Sequence, residues 1–255
     1  MPRFMSPVLL ALPLILLMPG RALEAQEGRW SFGLKPGVSL SALGGEAAER
    51  FSIGNCLADE EHVDGRSCIV RTGVAIGGFV SYRLTPGLAI QPEFHYVQKG
   101  GQYTYYHRSH PRWFPSGGIV TFTRVLDYIE IPLLLRWRQD IGLFRLAVPT
   151  AHIGPAIAFN TSSLDRRLSG NQQVDRENDL KEHTNQIDLG IALGGGVDVM
   201  LFGSGALILE ARLTMGLLPV GPTYFPIEPK QDFSLDDEGI RNRSFTIHIG
   251  YGYPF

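Results

Sequence analysis

From Trp30 onward, apolar and polar positions alternate with period two. Trp30, Phe32, Leu34, Pro36, Val38 and Leu40 fall on one face of the first stretch, with Ser31, Gly33, Lys35, Gly37 and Ser39 between them. Successive side chains of a strand point to opposite faces, so this period predicts strands rather than helices. Seven further stretches repeat it, over residues 72–84, 88–96, 129–137, 143–159, 187–201, 207–217 and 245–255. In the fifth stretch the apolar phase changes near Pro149, from Phe144, Leu146 and Val148 to Ile153, Ile157 and Phe159. A β-bulge is expected there. Long polar connections (42–70, 100–120, 160–186, 219–242) alternate with tight ones at Thr85-Pro86-Gly87, Gln139–Gly142 and Phe202–Gly205. The sum is an all-β, eight-stranded antiparallel up-and-down barrel with long loops at one end and short turns at the other. That is the connection pattern of a transmembrane barrel with long extracellular loops and short periplasmic turns.

Size decides which face looks outward. One face carries Trp, Tyr, Phe, Leu and Ile; the other carries Gly, Ala, Ser and single charges. Eight strands enclose an interior only wide enough for side chains. Bulky apolar residues from every strand would overfill it, so the apolar face is aimed at lipid. This orientation is the reverse of a soluble lipocalin-like barrel. Trp30, Tyr82, Trp137, Tyr251 and Tyr253 lie near strand ends, where Trp and Tyr accommodate both a wet and an apolar side. Tyr251, Tyr253 and the terminal Phe255 form an aromatic end to the last strand, read here as an assembly signal for the barrel-assembly machinery.

The segment before Trp30 is a targeting signal. Arg3 is followed by an apolar run, Val8–Met18, and by the small residues Gly20, Ala22 and Ala25. This order describes a secretory signal peptide over residues 1–25, cut after Ala25 or Ala22, ahead of a barrel domain over 26–255. An 11-residue run is about half the length that crosses a bilayer as a helix. Over the 255 residues, 44% are hydrophobic, 19% are charged and the net charge is −2. No basic excess exists to neutralise a phosphate backbone, so no nucleic acid is expected as partner. Outer-membrane lipid and lipopolysaccharide are the expected surroundings.

The segments resemble, in order, the PorT-like outer-membrane β-barrel domain family. The matching stretches are FGLKPGVSLS (32–41), GFVSYRLTPGLAIQPEFHYVQKGG (78–101), DYIEIPLLLRWR (127–138), HIGPAIAF (152–159), LGIALGGGVDV (189–199), LILEARLTMGL (207–217) and NRSFTIHIGYGY (242–253). The resemblance implies an integral outer-membrane barrel with a structural, assembly or secretion-accessory role and a secretion or envelope partner. The Cys-containing first loop and the aromatic second loop depart from the family pattern.

Several residues carry chemistry of their own. Lys35, Glu93, Glu130, Arg136, Asp198, Glu210 and Arg212 fall on the inward face, as do Arg83, Lys99, Arg138, Asp188, His95 and His248. Buried charges require partners, and both signs are present, so a polar network filling the lumen is expected. A narrow pore or transporter is the alternative. The two cysteines, Cys56 and Cys68, share one loop. In an oxidising compartment they predict a disulfide, worth about 3 kcal/mol by loop closure. His107 and His110 lie in an aromatic, basic loop that suits contact with a glycan, lipid phosphate or protein, making a loop-mediated receptor or adhesin a further alternative. Pro111 and the lack of an adjacent carboxylate argue against a metal site. Gly194-Gly195-Gly196 lacks the Lys-Ser/Thr of a phosphate loop, and no G-x-S-x-G occurs. No catalytic residue, cofactor or metal is expected.

Overall fold

The computed structural model describes residues 29–44, 67–107, 118–139, 147–169, 173–179, 181, 184–201, 205–220 and 241–254. The signal segment 1–25, Cys56, His110 and Phe255 lie outside the described residues. Among the described residues ten strands are present: β1 (Trp30–Gly44), β2 (Ser67–Ile69), β3 (Arg71–Thr85), β4 (Leu88–His107), β5 (Gly118–Arg138), β6 (Ala147–Ser169), β7 (Gln173–Asp179), β8 (Ile187–Leu201), β9 (Gly205–Gly216) and β10 (Arg241–Pro254). Eight of them make the wall. β1 pairs with both β3 and β10, and β4 pairs with both β3 and β5, so the antiparallel sheet closes on itself. β2 and β7 are short additions, on β4 and β6 respectively.

The closure has a defined stagger. Cross-strand partners lead from Trp30 through Tyr82, Ile90, Leu135, Ile153, Leu193, Leu213 and Phe245 back to β1 at Leu40, ten positions along. Eight strands with that stagger tilt by about 40° and enclose a backbone cylinder of about 8 Å radius. Side chains from opposite walls meet across such a cylinder. All nine residues on this path point outward by alternation.

Burial confirms the outward and inward assignment. Leu34 is 71% exposed and Ile249 57%, whereas Lys35 is 0% and Glu93 3% exposed. The apolar face therefore has no protein to cover it, and the charged face is the interior. Trp30 packs on Tyr82 with ring centroids 4.7 Å apart, and Phe32 on Tyr253 at 6.0 Å. With Trp137 and Tyr251 these rings form a girdle at the turn end of the barrel. From Phe245 to Tyr253 the outward positions of β10 are all apolar or aromatic. Nine tilted residues cover about 20–25 Å along the axis, the height of an outer-membrane apolar band.

Several sequence expectations need correction. The stretch expected as loop over 100–120 is largely strand, because β4 and β5 stay paired out to His107 and Gly118. Likewise β6 continues to Ser169 and is met by β7. Above the lipid both faces of a sheet meet water, so the alternation that marks a strand is not required there. β6 is described from Ala147, and the expected tight turn and strand start, with Phe144 and Leu146, lie outside the described residues. No bulge lies at Pro149: pairing with β8 is continuous from Ala147–Val199 to Phe159–Ile187. Val148 is instead an apolar residue buried inside the barrel. The irregularity in this region is on the other side of β6, where β5 shifts register between Asp127 and Tyr128.

Leu133 sits mid-strand on the lipid face, about 10 Å axially from the Trp137 girdle. Replacing it with Arg is expected to lower stability in lipid vesicles by about 2–4 kcal/mol, read by urea titration of the folded barrel. A spin label at Leu133 or Leu209 should meet lipid-dissolved oxygen, and one at Asp198 should be shielded from it.

Candidate functional site

The lumen is the site, and alternation places each of its groups. On β1, β4 and β9 the inward positions bring Lys35, Glu93, Glu210 and Arg212 to one level. Lys35 Nζ donates to Glu93 Oε1 and Glu210 Oε2, each at 2.7 Å. Arg212 Nη2 donates to Glu93 Oε2 at 2.6 Å and to Glu210 Oε1 at 2.5 Å. Two cations and two carboxylates thus alternate around a closed ring, all essentially out of solvent. Each carboxylate meets both cations, so the ring is neutral as a whole. Glu93 also accepts from Gln91 Nε2 at 2.6 Å and from His95 Nε2 at 2.7 Å. These bonds occupy its remaining lone pairs. The Lys35 ammonium lies 5.1 Å from the centre of the Phe79 ring, a cation–π contact in a desolvated setting.

Other levels lie above and below. Toward the loop end, Lys99 pairs with Glu130 and lies 5.5 Å from the Tyr128 ring centre. Above that, Asn242 Nδ2 donates to Tyr128 Oη at 3.1 Å and to Asp188 Oδ2 at 3.0 Å. Toward the turn end, Arg136 Nη2 donates to Asp198 Oδ1 at 2.6 Å and Nη1 to Gln91 Oε1 at 3.3 Å. Arg138 Nε stands 3.6 Å from Asp198 Oδ2. All seven expected network residues are therefore inside and partnered, with Gln91 joining Arg136 and Asp198 to the ring and the Lys99–Glu130 pair one level up. Of the other expected inward groups, Arg83 and Arg138 are only partly buried, at the turn end.

Glycine makes this density possible. Each of the three interior histidines faces a glycine on the neighbouring strand: His95 opposite Gly77, His152 opposite Gly194, His248 opposite Gly37. A Cβ at Gly77 or Gly194 would lie 2.5 Å from the facing imidazole, and one at Gly37 2.8 Å. The rings occupy space that a side chain on the facing strand would need, and His95 and His248 meet at 5.1 Å between centroids. His152 was not singled out from the sequence. The signal was there, because Ile153, Ile157 and Phe159 on the outside put residue 152 inside. Among the described residues no group of three or more His, Cys, Asp or Glu is placed to hold a metal.

A closed antiparallel wall, a bare apolar belt with an aromatic girdle, and a charged, filled lumen define an integral outer-membrane β-barrel protein. The chain matches the model of the outer membrane protein beta-barrel domain over residues 24–220 and belongs to that family. No curated protein matches it. Among solved structures it is similar to OprG from Pseudomonas aeruginosa, with 12% identity and a TM-score of 0.43 over 89% of this chain and 97% of that one. It is also similar to Neisserial surface protein A, with 11% identity and a TM-score of 0.40 over 88% and 97% of the two chains. Ail of Yersinia pestis, solved in complex with the heparin analogue sucrose octasulfate, gives 10% identity and a TM-score of 0.36 over 88% and 99%.

Breaking the ring leaves a buried charge alone. Lys35→Met is expected to cost about 3–5 kcal/mol. Adding Glu210→Gln to it should recover part of that loss, because the Arg212–Glu93 pair remains neutral. Urea unfolding of the single and double variants in vesicles measures both values.

Proposed function

We propose that this outer-membrane barrel is a non-conducting, non-catalytic membrane anchor with a structural, assembly or secretion-accessory role. The observation that carries this reading is the filled lumen. The neutral ring of Lys35, Glu93, Arg212 and Glu210 crosses the barrel at a level where the wall encloses only side chains. A solute passing through would have to break charge-assisted hydrogen bonds that have no water to replace them. The PorT-like resemblance supports the accessory role and a secretion or envelope partner. Export through a cleaved signal peptide, insertion by the barrel-assembly machinery using the aromatic C-terminal strand, and a Cys56–Cys68 link in the first loop belong to the same proposal.

Lipopolysaccharide is the proposed partner at the outer leaflet. Arg241 and Arg243 continue the outward face of β10 just above Phe245, and both are exposed. Their cross-strand neighbours are Gly44, Ala42 and Met215, none of which is acidic. Two guanidiniums at the top of an apolar belt suit the phosphates of a lipid headgroup, which they bind bidentately.

Purified protein in planar bilayers should show no single-channel steps above the lipid background. Steady ion-selective openings would sink the anchor reading in favour of a narrow pore. Separately, replacing Arg241 and Arg243 together with Gln should lower the lipopolysaccharide that co-purifies with the barrel several-fold. Unchanged lipopolysaccharide content would remove it from the proposal.

A further inference from the structure

The charges of the lumen balance at the ring and again at the Lys99–Glu130 pair. At the turn end, among the described residues, arginines outnumber carboxylates. There Arg136 and Arg138 share one carboxylate, Asp198, and Arg29 borders the same space. A cavity of about 30 Å³ opens between them, also lined by Ser31, Ser81 and Arg83. One water needs about 10–15 Å³ on this measure, so the space takes a group of a few heavy atoms and no more.

The geometry points to a phosphate-binding site at this periplasmic mouth, formed by Arg29, Arg136 and Arg138 with the Ser31 and Ser81 hydroxyls. Among the described residues four arginines border the space, and two of them share Asp198, so the lining favours an anion. Arg136 is 5% exposed, and its Nε is buried with no hydrogen-bond partner, although Nη1 and Nη2 are both engaged. A buried charged donor left without an acceptor is costly, and Arg136 is one of the residues that line the cavity. Ser31 and Ser81 are direct cross-strand partners, so their hydroxyls rise side by side from the wall. Forked N–H groups from three directions and two hydroxyls suit the four oxygens of a phosphate better than the two of a carboxylate. Arg138 lies within electrostatic range of Asp198, Arg136 and Arg83, so an anion entering the space feels more than one arginine. The phosphate comes from one of two sources: free inorganic phosphate in the periplasm, or the headgroup of an inner-leaflet phospholipid beside the Trp30 girdle. This inference goes beyond the anchor reading, and a conducting lumen would leave its test intact.

Inorganic phosphate titrated calorimetrically into the full barrel in a non-ionic detergent should bind saturably. Arg138→Gln should weaken binding at least tenfold, and Arg29→Gln should weaken it measurably. Arg29 precedes the wall strand, so its replacement spares the barrel even if Arg138→Gln fails to fold; heat-modifiable migration on gels reports folding of each. Lys181→Gln, at the opposite end, should bind as the unmodified chain does. The same titration in vesicles identifies the source. Loss of phosphate binding in phosphatidylglycerol, with retention in phosphatidylcholine of matched chain length, assigns the site to an anionic headgroup. Equal binding in both assigns it to the free ion. No saturable binding in detergent, or equal binding by the folded Arg29→Gln variant, would overturn the proposal.

Discussion

Hydrocarbon offers no hydrogen bonds, and that constraint dictates the rest of the molecule. Every backbone N–H and C=O within the bilayer must be paired by the protein itself, which for strands requires a closed sheet. β1 meets β10, and the wall has no edge at membrane depth. Eight strands with a ten-residue stagger then fix a narrow radius. A narrow radius forces glycine or small residues onto much of the inner face and leaves the large apolar residues the lipid side. Composition, polarity and closure are thus one condition seen three ways. The glycines opposite His95, His152 and His248 are its local form, because imidazole and backbone share space that a Cβ would take.

Filling the lumen with charge is a costly way to pack it. Buried ion pairs seldom gain more than well-packed apolar groups of the same volume. They do penalise error. A one-residue slip of any strand turns its inward face outward. For β4 that would put Glu93, His95 and Lys99 into lipid and bring Phe94 and Tyr96 into the ring. The partners of each charge come from distant strands: Lys35 and Glu93 are 58 residues apart, Lys35 and Glu210 175. The ring is complete only when β1, β4 and β9 are all in register. Its value is in specifying the closed form over its near relatives.

The sequence made the wall legible where lipid lies on one side and the lumen on the other. There alternation is obligatory, and β1, β8 and β10 could be read almost residue by residue. It failed where that asymmetry ends. Thr161–Ser169 of β6 and β7 (Gln173–Asp179) are mostly polar and lack strict alternation, so nothing in the pattern distinguishes them from loop. Val148 misled for the opposite reason: an apolar residue on the inner face near the mouth imitates a change of phase. Inward position was legible for every charged residue of the network. Partnership was not, since which charges share a level depends on the stagger, and stagger is a property of closure rather than of any one strand.

The two ends of the cylinder have different physics. At the turn end the wall stops near its aromatic girdle, and among the described residues Arg136 and Arg138 share Asp198 at the lumen mouth. At the loop end β4, β5 and β6 run to 20, 21 and 23 residues, although about 9–11 tilted residues cross the hydrocarbon. The excess is gathered on one arc of the barrel, where β2 and β7 widen it into a five-stranded sheet in the order β2-β4-β5-β6-β7. β9 and β10, on the opposite arc, are 12 and 14 residues long. A plug alone needs no such extension, because the lumen is already closed below it. Backbone ordered well above the membrane on one side only costs conformational entropy. Among the described residues, the β4–β6 arc is where ordered backbone rises farthest past the apolar belt.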